Sequence, residues 1–234
     1  MSGKTDVCIL ISAGAEWRAF LPHFSSAEVF ATPYGESFEI QINGKNIRLL
    51  HGGWGKVAAA GSTQYAFDHW RPDRIINLGT CGGFEGRIKQ GEVILAQKTI
   101  IYDIFDAMTD PDQAVKKYSV DFNLSWLPAA PPQPVRVQPL ISADRDIIPE
   151  DIPWLIEKFD AVGADWESGS IAWVAQQNKV PCLILRAVSD LVGPNTSNAY
   201  ANYPYFEEKC VTIMADFAHH LPEWIEAFHP EYSH

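Results

Sequence analysis

The sequence predicts an α/β fold, a three-layer α/β/α sandwich built as a single domain over residues 1–234. Two observations carry this prediction. Segments with strand character alternate with helical segments along the chain. Most of the strand-like segments are apolar throughout, as are strands that helices cover on both faces. No internal repeat is visible, and 234 residues are enough for one sizeable core.

The N-terminal part of the chain carries clear local signals. Residues 7–11 form a continuous apolar run, which predicts a buried strand. Residues 16–24 place large apolar side chains on one side at helical spacing, which predicts a helix. Two strand-like runs at 37–42 and 46–50 flank Asn43-Gly44, a pair that favours a type I′ hairpin turn.

The middle of the chain is less regular. The alanine-rich segment 56–70 predicts a helix, and the Pro-Asp pair after it separates this helix from a strand at 74–78. The glycine-rich residues 79–83 predict a loop at the end of that strand. Residues 92–101 predict a long strand. Residues 103–134 show the least pattern, and we expect them to form a long surface excursion.

The C-terminal part returns to alternating elements. A strand is predicted at 135–141, and a short helix at 153–159 has proline near its first turn. A further helix is expected over 168–178. Residues 181–188 form another continuous apolar strand, and the last helix is predicted over 205–228.

Composition excludes several classes of protein. The formal net charge of −11 offers no electrostatic surface for nucleic acid or an anionic membrane, but it suits a small neutral ligand. No apolar window is long enough to span a bilayer and no signal-peptide pattern is visible, so a cytoplasmic location is expected. The four cysteines lack metal-binding spacing, and we expect reduced structural thiols, no metal site and no cofactor.

Polar or glycine-rich clusters follow several of the strand-like runs. In sheets of this kind, ligands collect at the carboxyl ends of strands, so the clusters predict a common binding site. The clusters are residues 14–16, 79–83, 165–167 and 189–190.

Three carboxylates stand out in these clusters: Glu16, Glu167 and Asp190. Burial and mutual repulsion shift the pKa values of such groups, as acid–base catalysis requires. Each residue taken alone is also explained as a helix or turn cap. The glycines of 79–83 suit either a tight turn or the close approach of a ligand to the backbone.

Taken together, the clusters resemble the nucleoside phosphorylase and hydrolase superfamily, most closely the 5′-methylthioadenosine/S-adenosylhomocysteine nucleosidases. The resemblance covers nearly the whole chain and implies a purine-nucleoside-cleaving enzyme with a mixed, partly barrel-like central sheet. It rests on short motifs in a specific order: the strand-to-glutamate segment 9–16, Gly-Trp-Gly-Lys-Val-Ala-Ala-Ala (53–60), Ile-Asn-Leu-Gly-Thr-Cys-Gly-Gly (76–83), Asp-Trp-Glu-Ser-Gly-Ser-Ile-Ala (165–172) and Arg-Ala-Val-Ser-Asp (186–190).

The resemblance implies a role for each matching residue. Asp190 would protonate N7 of the departing purine with the help of Ser189, Glu16 would activate the attacking water, and Glu167 would bind the ribose hydroxyls. An oxocarbenium-like transition state needs such a proton donor and negative charge near the sugar. The other residues expected to bind substrate are Trp166, Asp165, Thr80, Gly82, Gly83, Arg186, Asp146 and Ile147.

Water is expected as the nucleophile. The phosphorylases of this superfamily carry a phosphate-binding arginine two residues before the glycine of an Arg-x-Gly-Ser/Thr motif. Asn77 stands in that place here, and an amide cannot supply the charge-assisted contacts of a guanidinium. Two alternatives stay open: a phosphorylase with an unrecognised phosphate site, and a non-catalytic nucleoside-binding or storage protein on the same fold.

Some features depart from the nucleosidase pattern. Glu16 lacks the usual Ala-Met-x-x-Glu context, so its register is open by one residue. Trp166 replaces the usual methionine, and Asp146 stands where the family places an apolar or aromatic residue against adenine. The preferred base is therefore open, and the segment 103–134 is expected to reshape the pocket.

The resemblance also implies a homodimer that acts in methionine salvage. In such dimers the partner lends an aromatic residue to the pocket. The tyrosines in the matching loop are Tyr200, Tyr203 and Tyr205.

Overall fold

One sheet organises the fold. The computed structural model describes residues 4–24, 27–194, 196–197 and 202–229. The strands are β1 (Val7–Ile11), β2 (Val29–Ala31), β3 (Glu36–Ile42), β4 (Lys45–His51), β5 (Arg74–Phe84), β6 (Val93–Ile101), β7 (Ser119–Asp121), β8 (Arg136–Ser142), β9 (Gly163–Asp165), β10 (Cys182–Gly193) and β11 (Thr196–Ser197). The helices are α1 (Gly14–Phe20), α2 (Gly55–Trp70), α3 (Pro111–Lys117), α4 (Ile152–Phe159), α5 (Ser168–Gln177) and α6 (Tyr203–Ala227), with 3₁₀ turns at Leu21–Phe24 and Pro149–Asp151.

Part of the sheet closes on itself. Strand β10 pairs with both β6 and β5, so the path β10–β6–β8–β9–β5 forms a closed five-stranded barrel. Strands β1, β4, β3 and β2 continue from β5 as an open extension, while β7 pairs with β6 and β11 pairs with β10. Parallel and antiparallel pairs occur together. The predicted mixed, partly barrel-like sheet is confirmed.

Helices cover both faces of the sheet. Because successive side chains of a strand point to opposite faces, Ile9 of β1 joins the core cluster under α1 and α6, whereas Leu10 joins the cluster under α2 and α5. Phe20 and Phe217 are buried on the first side, and Phe67 is buried on the second. This is why the strands are apolar throughout, and it confirms the predicted three layers.

The hairpin between β3 and β4 has the predicted turn. Ile42 pairs directly with Lys45, and the two intervening residues have φ values of 52° at Asn43 and 76° at Gly44. Positive φ at both positions defines the type I′ turn, which asparagine and glycine tolerate best.

Two strands are longer than the sequence indicates. Residues 79–83 were predicted as a loop, but they belong to β5, and β10 continues to Gly193. The correction has a physical cause: β5 and β10 pair in parallel from Ile75–Cys182 to Phe84–Val192, and this long-range pairing closes the barrel. The glycines serve close packing there, since a Cβ on Gly79 would lie 1.9 Å from Arg186 Nη1.

The first and last helices begin earlier than predicted. Helix α1 starts at Gly14, so Glu16 lies in its first turn. Helix α6 starts at Tyr203, and the Asn202 side chain caps it by accepting a hydrogen bond from the Tyr205 N–H at 3.4 Å. Residues in the first turns of both helices line one cavity.

The segment 103–134 is more ordered than the predicted surface excursion. It contains α3 and the strand β7, which adds to the edge of β6. Leu124, Trp126 and Leu127 pack against the core under α6. Gln133 is buried and accepts a hydrogen bond from Trp224 Nε1 at 2.9 Å. The segment therefore covers the core beside α6.

Within the described ranges, no helix is long and apolar enough to cross a bilayer.

Candidate active site

A cavity of about 810 Å³ opens at the barrel end where β5, β9 and β10 terminate. Its walls come from the first turns of α1 and α6, from these strands, and from the loops after β4 and β8. Most of the predicted site residues line it: Glu16, Thr80, Gly82, Asp146, Ile147, Asp165, Trp166, Glu167, Ser189 and Asp190. Gly83 and Arg186 lie behind the wall.

Arg186 lies behind the cavity wall and contacts the acidic side chains that form it. Its guanidinium is fully buried, and Nη2 donates to Asn77 Oδ1 at 2.8 Å. Nε lies 2.8 Å from Asp165 Oδ2, Nη2 lies 3.8 Å from Glu167 Oε2, and Nη1 lies 4.0 Å from Glu16 Oε1. Burial lowers the pKa of Arg186, but the three carboxyl groups outweigh it and the net shift is upward. The guanidinium of Arg186 thus lies within 4.0 Å of three carboxyl groups.

Asp165 is committed to this arrangement. Its Oδ1 accepts from the Ser142 hydroxyl at 2.5 Å, and its Oδ2 accepts from Ser168 N at 3.0 Å and from Arg186 Nε. A carboxylate this fully satisfied is well placed to fix the guanidinium. We therefore expect Asp165 to position Arg186 and to contact substrate only marginally.

Glu16 is held at the wall by two neighbours. Thr80 donates to Glu16 Oε1 from its backbone N at 2.6 Å and from its hydroxyl at 2.7 Å. The Ala13 backbone N donates to Oε2 at 3.2 Å, which closes the first turn of α1. An oxygen with a single donor can still accept a proton. Glu16 thus lies at the cavity wall with two donors on Oε1 and one on Oε2.

Glu167 sits between the barrel and helix α2. Its Oε1 accepts from the Gly55 backbone N at 3.0 Å. The pKa of this carboxyl is raised to about 8, mainly by burial. Arg186 opposes the rise, while the nearby Asp165 and Glu16 contribute to it. Near neutral pH the group holds a proton in the free protein, and it can then both donate and accept toward a diol.

Asp190 and Ser189 face the cavity together because β10 is irregular at this point. The register between β10 and β5 shifts between Val188 and Asp190, a β-bulge. Adjacent residues of a regular strand point to opposite faces, so the bulge explains how both side chains reach one cavity. Burial raises the pKa of Asp190, and the negative charge of the nearby Asp146 raises it as well. The hydrogen bond that Ser189 donates at 2.7 Å has the opposite effect and lowers this pKa.

Asp146, Ile147 and Gly82 form the wall around Asp190. A Cβ on Gly82 would lie 2.8 Å from Ile147 Cδ1, so glycine is what lets this side chain reach the wall. Gly83 has a packing role instead, since a Cβ there would lie 2.6 Å from Val188 Cγ1. Asp146 is exposed to solvent in the cavity.

Trp166 was expected at the site, but its stacking partner at the cavity, Trp54, was not predicted from the sequence. Trp54 and Trp166 both line the cavity, and their rings stack with centroids 4.5 Å apart and planes 24° from parallel. Trp54 stands between Gly53 and Gly55 at the start of α2, in the motif 53–60 on which the family resemblance rests, but no role had been assigned to it. A tryptophan between two glycines, where the chain is expected to turn, was the signal in the sequence that could have indicated a role for Trp54.

Of the three tyrosines considered, Tyr203 lines the cavity of its own chain, together with Phe206 in the first turns of α6. Tyr205 instead accepts a hydrogen bond from Gln90 Nε2 at 2.5 Å. Tyr200 lies outside the described residues.

Asn77 is buried behind the cavity and is fully used by the fold. It donates to the Leu10 carbonyl at 2.9 Å and accepts from Arg186. Arg145 is the one cation among the described residues that line the cavity, and it is paired with Asp151 at 2.9 Å. The part of the site that is described thus offers an anion poor recognition. Over the same residues, no cluster of side chains is suited to hold a metal ion.

Comparisons with known proteins place this geometry in a family. A family model described as the phosphorylase superfamily matches residues 6–221. The chain is 30% identical over 172 residues to a 5′-methylthioadenosine/S-adenosylhomocysteine nucleosidase from Maridesulfovibrio salexigens, covering 68% of this chain and 74% of that protein. It is 25% identical over 191 residues to a protein of the same description from Tolumonas auensis, covering 76% and 83%.

The fold has matching solved structures. One is a 5′-methylthioadenosine/S-adenosylhomocysteine nucleosidase from Neisseria meningitidis in complex with methylthio-immucillin-A. The TM-score is 0.75 at 21% identity, and the match covers 96% of this chain and all of that one (100%).

Proposed function

The chain belongs to the phosphorylase superfamily, and we propose that it is a nucleosidase that hydrolyses the N-glycosidic bond of purine nucleosides. 5′-Methylthioadenosine and S-adenosylhomocysteine are the substrate class, as in the relatives' descriptions. One observation carries the proposal: a buried acid with a raised pKa, Asp190, shares a cavity with Glu16 and Glu167, which Arg186 holds in place.

Asp190 is proposed as the general acid. A purine leaves poorly as an anion, and protonation at N7 makes it a neutral leaving group. Burial raises the pKa of Asp190 above its ordinary value, and this favours the protonated form that a general acid needs. The Ser189 hydroxyl lies within hydrogen-bond distance of both Asp190 Oδ1 and the Cys81 carbonyl, at 2.7 and 3.3 Å. It can hold the carboxyl group in either protonation state.

The acids around Arg186 are proposed to stabilise the sugar. Departure of the base leaves positive charge on the ribosyl ring, and preorganised negative charge lowers the energy of that state. Three carboxyl groups, those of Glu16, Asp165 and Glu167, lie around the single guanidinium of Arg186. Glu167 binds the ribose hydroxyls, and Thr80 holds Glu16 against the sugar.

Glu16 is proposed as the base that activates water. Two donations from Thr80 orient one carboxylate oxygen, and the other remains able to take a proton from the nucleophile. Phosphate is disfavoured as the nucleophile, because Asn77 replaces a cation and the local charge is negative. Hydrolysis is therefore favoured over phosphorolysis. A protein that only stored nucleosides would not need the three acidic side chains of Glu16, Glu167 and Asp190, so an enzyme is favoured over a storage protein.

The product identifies the reaction. Wild-type protein incubated with 5′-methylthioadenosine should release adenine and free methylthioribose, at a rate that added phosphate leaves unchanged. Formation of the sugar 1-phosphate, or a rate that rises with the phosphate concentration, would contradict hydrolysis and show that the protein is a phosphorylase. A parallel panel of adenosine, inosine and guanosine derivatives reports the base preference that Asp146 leaves open.

We also propose that the protein acts as a homodimer in the cytoplasm, in methionine salvage. Cleavage of 5′-methylthioadenosine leaves a sugar that keeps the methylthio group, which suits salvage. The Lys56–Asp103 ion pair joins the start of α2 to the segment after β6. These two segments expose Val57, Phe105 and Met108 at 85, 78 and 94%, and exposed apolar side chains support an interface.

A further inference from the structure

A glutamine outside the cavity contacts the strand that carries the proposed general acid. Gln90 lies in the loop between β5 and β6, and it is not among the described residues that line the cavity. Its Nε2 donates to the Ser189 carbonyl at 2.6 Å and to the Tyr205 hydroxyl at 2.5 Å. One amide group therefore joins this loop both to the bulge of β10 and to the first turn of α6.

The Ser189 carbonyl helps to set the direction of Asp190. It belongs to the planar peptide group that joins these two residues, so a hydrogen bond to this oxygen restricts the plane from which the Asp190 side chain projects. The register of β10 against β5 shifts at this point, and a bulge disrupts the ladder locally. A donor from outside the ladder is therefore well placed to define the backbone here.

The loop holds Gln90 in a defined place beside the bulge. Residues 89–92 form a tight turn in which Gly91 has a φ of 83°. A backbone hydrogen bond of 3.1 Å and a side-chain to backbone hydrogen bond of 2.7 Å close this turn. The turn is attached to β10, since Gly91 N donates to the Val188 carbonyl at 2.9 Å and Val188 N donates to the Glu92 carbonyl at 3.0 Å. The amide of Gln90 thus projects from a fixed turn.

Tyr205 connects the same amide to the wall of the cavity. The residues on either side of it, Pro204 and Phe206, line the cavity. The Tyr205 hydroxyl accepts from Gln90, so a single side chain links the wall that α6 provides to the strand that carries Asp190.

We propose that Gln90 is a positioning residue for the nucleosidase reaction: it holds the Ser189–Asp190 peptide group so that the Asp190 carboxyl is directed at N7 of the purine. This role rests on the proposed function, with Asp190 as its general acid. A general acid must lie within hydrogen-bond reach of its target, and a small displacement of a catalytic group lowers the rate strongly. Gln90 itself touches no reacting atom, so its effect is confined to the step that needs the proton.

Two substrates that share a sugar but differ in the leaving group test this role: 5′-methylthioadenosine and the para-nitrophenyl riboside that carries the same 5′-methylthio group. Adenine needs a proton to leave, whereas nitrophenolate is stable as an anion and leaves without one. In Gln90→Leu, kcat for 5′-methylthioadenosine should fall by about 10–100-fold, part of what a general acid contributes. The KM should change little, and the nitrophenyl compound should be cleaved at close to the wild-type rate. Gln90→Glu keeps the length of the side chain but lacks the N–H donors, and it should show the same selective loss.

Gln64→Leu is the matched control. Gln64 also joins two elements, because it donates to Asp68 Oδ1 in α2 at 2.9 Å and accepts from Asn178 Nδ2 at the end of α5 at 2.8 Å. It does not line the cavity. Both substrates should therefore be cleaved by this variant at the wild-type rates.

The ratio of the two rates decides the outcome. An unchanged ratio in both Gln90 variants, with or without a common loss of both rates, would show that Gln90 is at most structural and would overturn its positioning role. Asp190→Asn separates this failure from failure of the proposed function: if it shows the selective loss and the Gln90 variants do not, only the role of Gln90 is overturned. If the wild type releases no adenine, the proposed function is overturned, and the role of Gln90 with it.

Discussion

At the residue scale, burial assigns different tasks to similar carboxyl groups. Asp165 is saturated by hydroxyl, backbone and guanidinium donors, so it stays in place as an anchor for Arg186. Glu16 keeps an oxygen with only one donor, and Asp190 has a raised pKa because burial disfavours its charge. These different surroundings support the roles proposed for Asp165 as an anchor, for Glu16 as a base and for Asp190 as an acid.

Glu16→Gln tests the base. The amide oxygen can still accept from Thr80, so the fold and nucleoside binding should persist, but the side chain can no longer take a proton. We expect kcat to fall by about 10²–10³-fold, the contribution of one general base, with a smaller change in the Kd of a bound nucleoside. A kcat within a factor of a few of wild type would remove Glu16 from this role.

Glu167 makes stability depend on pH in a defined direction. Its pKa rises from 4.5 to about 8 on folding, so the folded state binds more protons between these values. Its contribution is therefore present below pH 4.5 and is lost as pH rises through about 8. The free energy of unfolding of wild type should fall across this window relative to that of Glu167→Gln, as measured by urea unfolding. Parallel pH curves for the two proteins would contradict the assignment.

At the element scale, the site depends on irregular points in otherwise regular elements. The bulge in β10 turns Ser189 and Asp190 to the same side. At the start of α2, Asp144 of a different segment satisfies the Lys56 N–H, and the neighbouring Gly55 N–H holds Glu167. Helix termini leave such donors free for partners outside the helix.

Asp144→Ala removes the α2 cap, and Asp110→Ala is its matched control. Asp110 caps α3 by accepting from Asp112 N at 3.0 Å, outside the cavity. Each change should lower the free energy of unfolding by about 1 kcal/mol. Only Asp144→Ala should also raise KM, because it loosens the turn that holds Trp54 and Glu167. Equal KM values in both variants would show that the α2 cap is merely structural.

Local signals predicted the elements better than their pairing. The Asn43-Gly44 turn is encoded by two adjacent residues, and the sequence indicates it correctly. The extension of β5 through the glycines 79–83 depends on pairing with β10, about a hundred residues away, and no local pattern reports it. For the same reason the sequence placed Asp190 after a strand, whereas it lies in one.

The site was predicted through motifs more than through physics. Glu16, Glu167 and Asp190 each follow a strand-like run, and this position predicted that they lie at one end of the sheet. Their individual roles were inferred from the family resemblance. The stacking of Trp54 on Trp166 was not predicted, because neither the glycines beside Trp54 nor its position in the sequence indicates this contact. The contact joins residues far apart in sequence, and only the folded structure brings the two rings together.

At the scale of the whole molecule, the barrel and its helices position the acidic side chains, and an exposed apolar surface is the proposed contact with a second copy of the chain. Val57 of α2 and Met108 of the segment after β6 belong to that surface. We expect wild type to have twice the 26.1 kDa chain mass by light scattering. Val57→Glu places a charge in the proposed interface and should yield monomers. Val211→Glu, at an exposed position on α6, should stay dimeric. A monomeric wild type would contradict the proposed dimer.

The most direct test of the account is base release by Asp190→Asn. Asparagine keeps the shape of the side chain and the hydrogen-bonding reach toward Ser189, but it cannot deliver a proton to N7. With 5′-methylthioadenosine as substrate, we expect the rate of adenine release to fall by about 10²–10⁴-fold, while the nucleoside still binds and the fold persists. A variant that releases adenine as fast as wild type would contradict the central claim that Asp190 is the general acid.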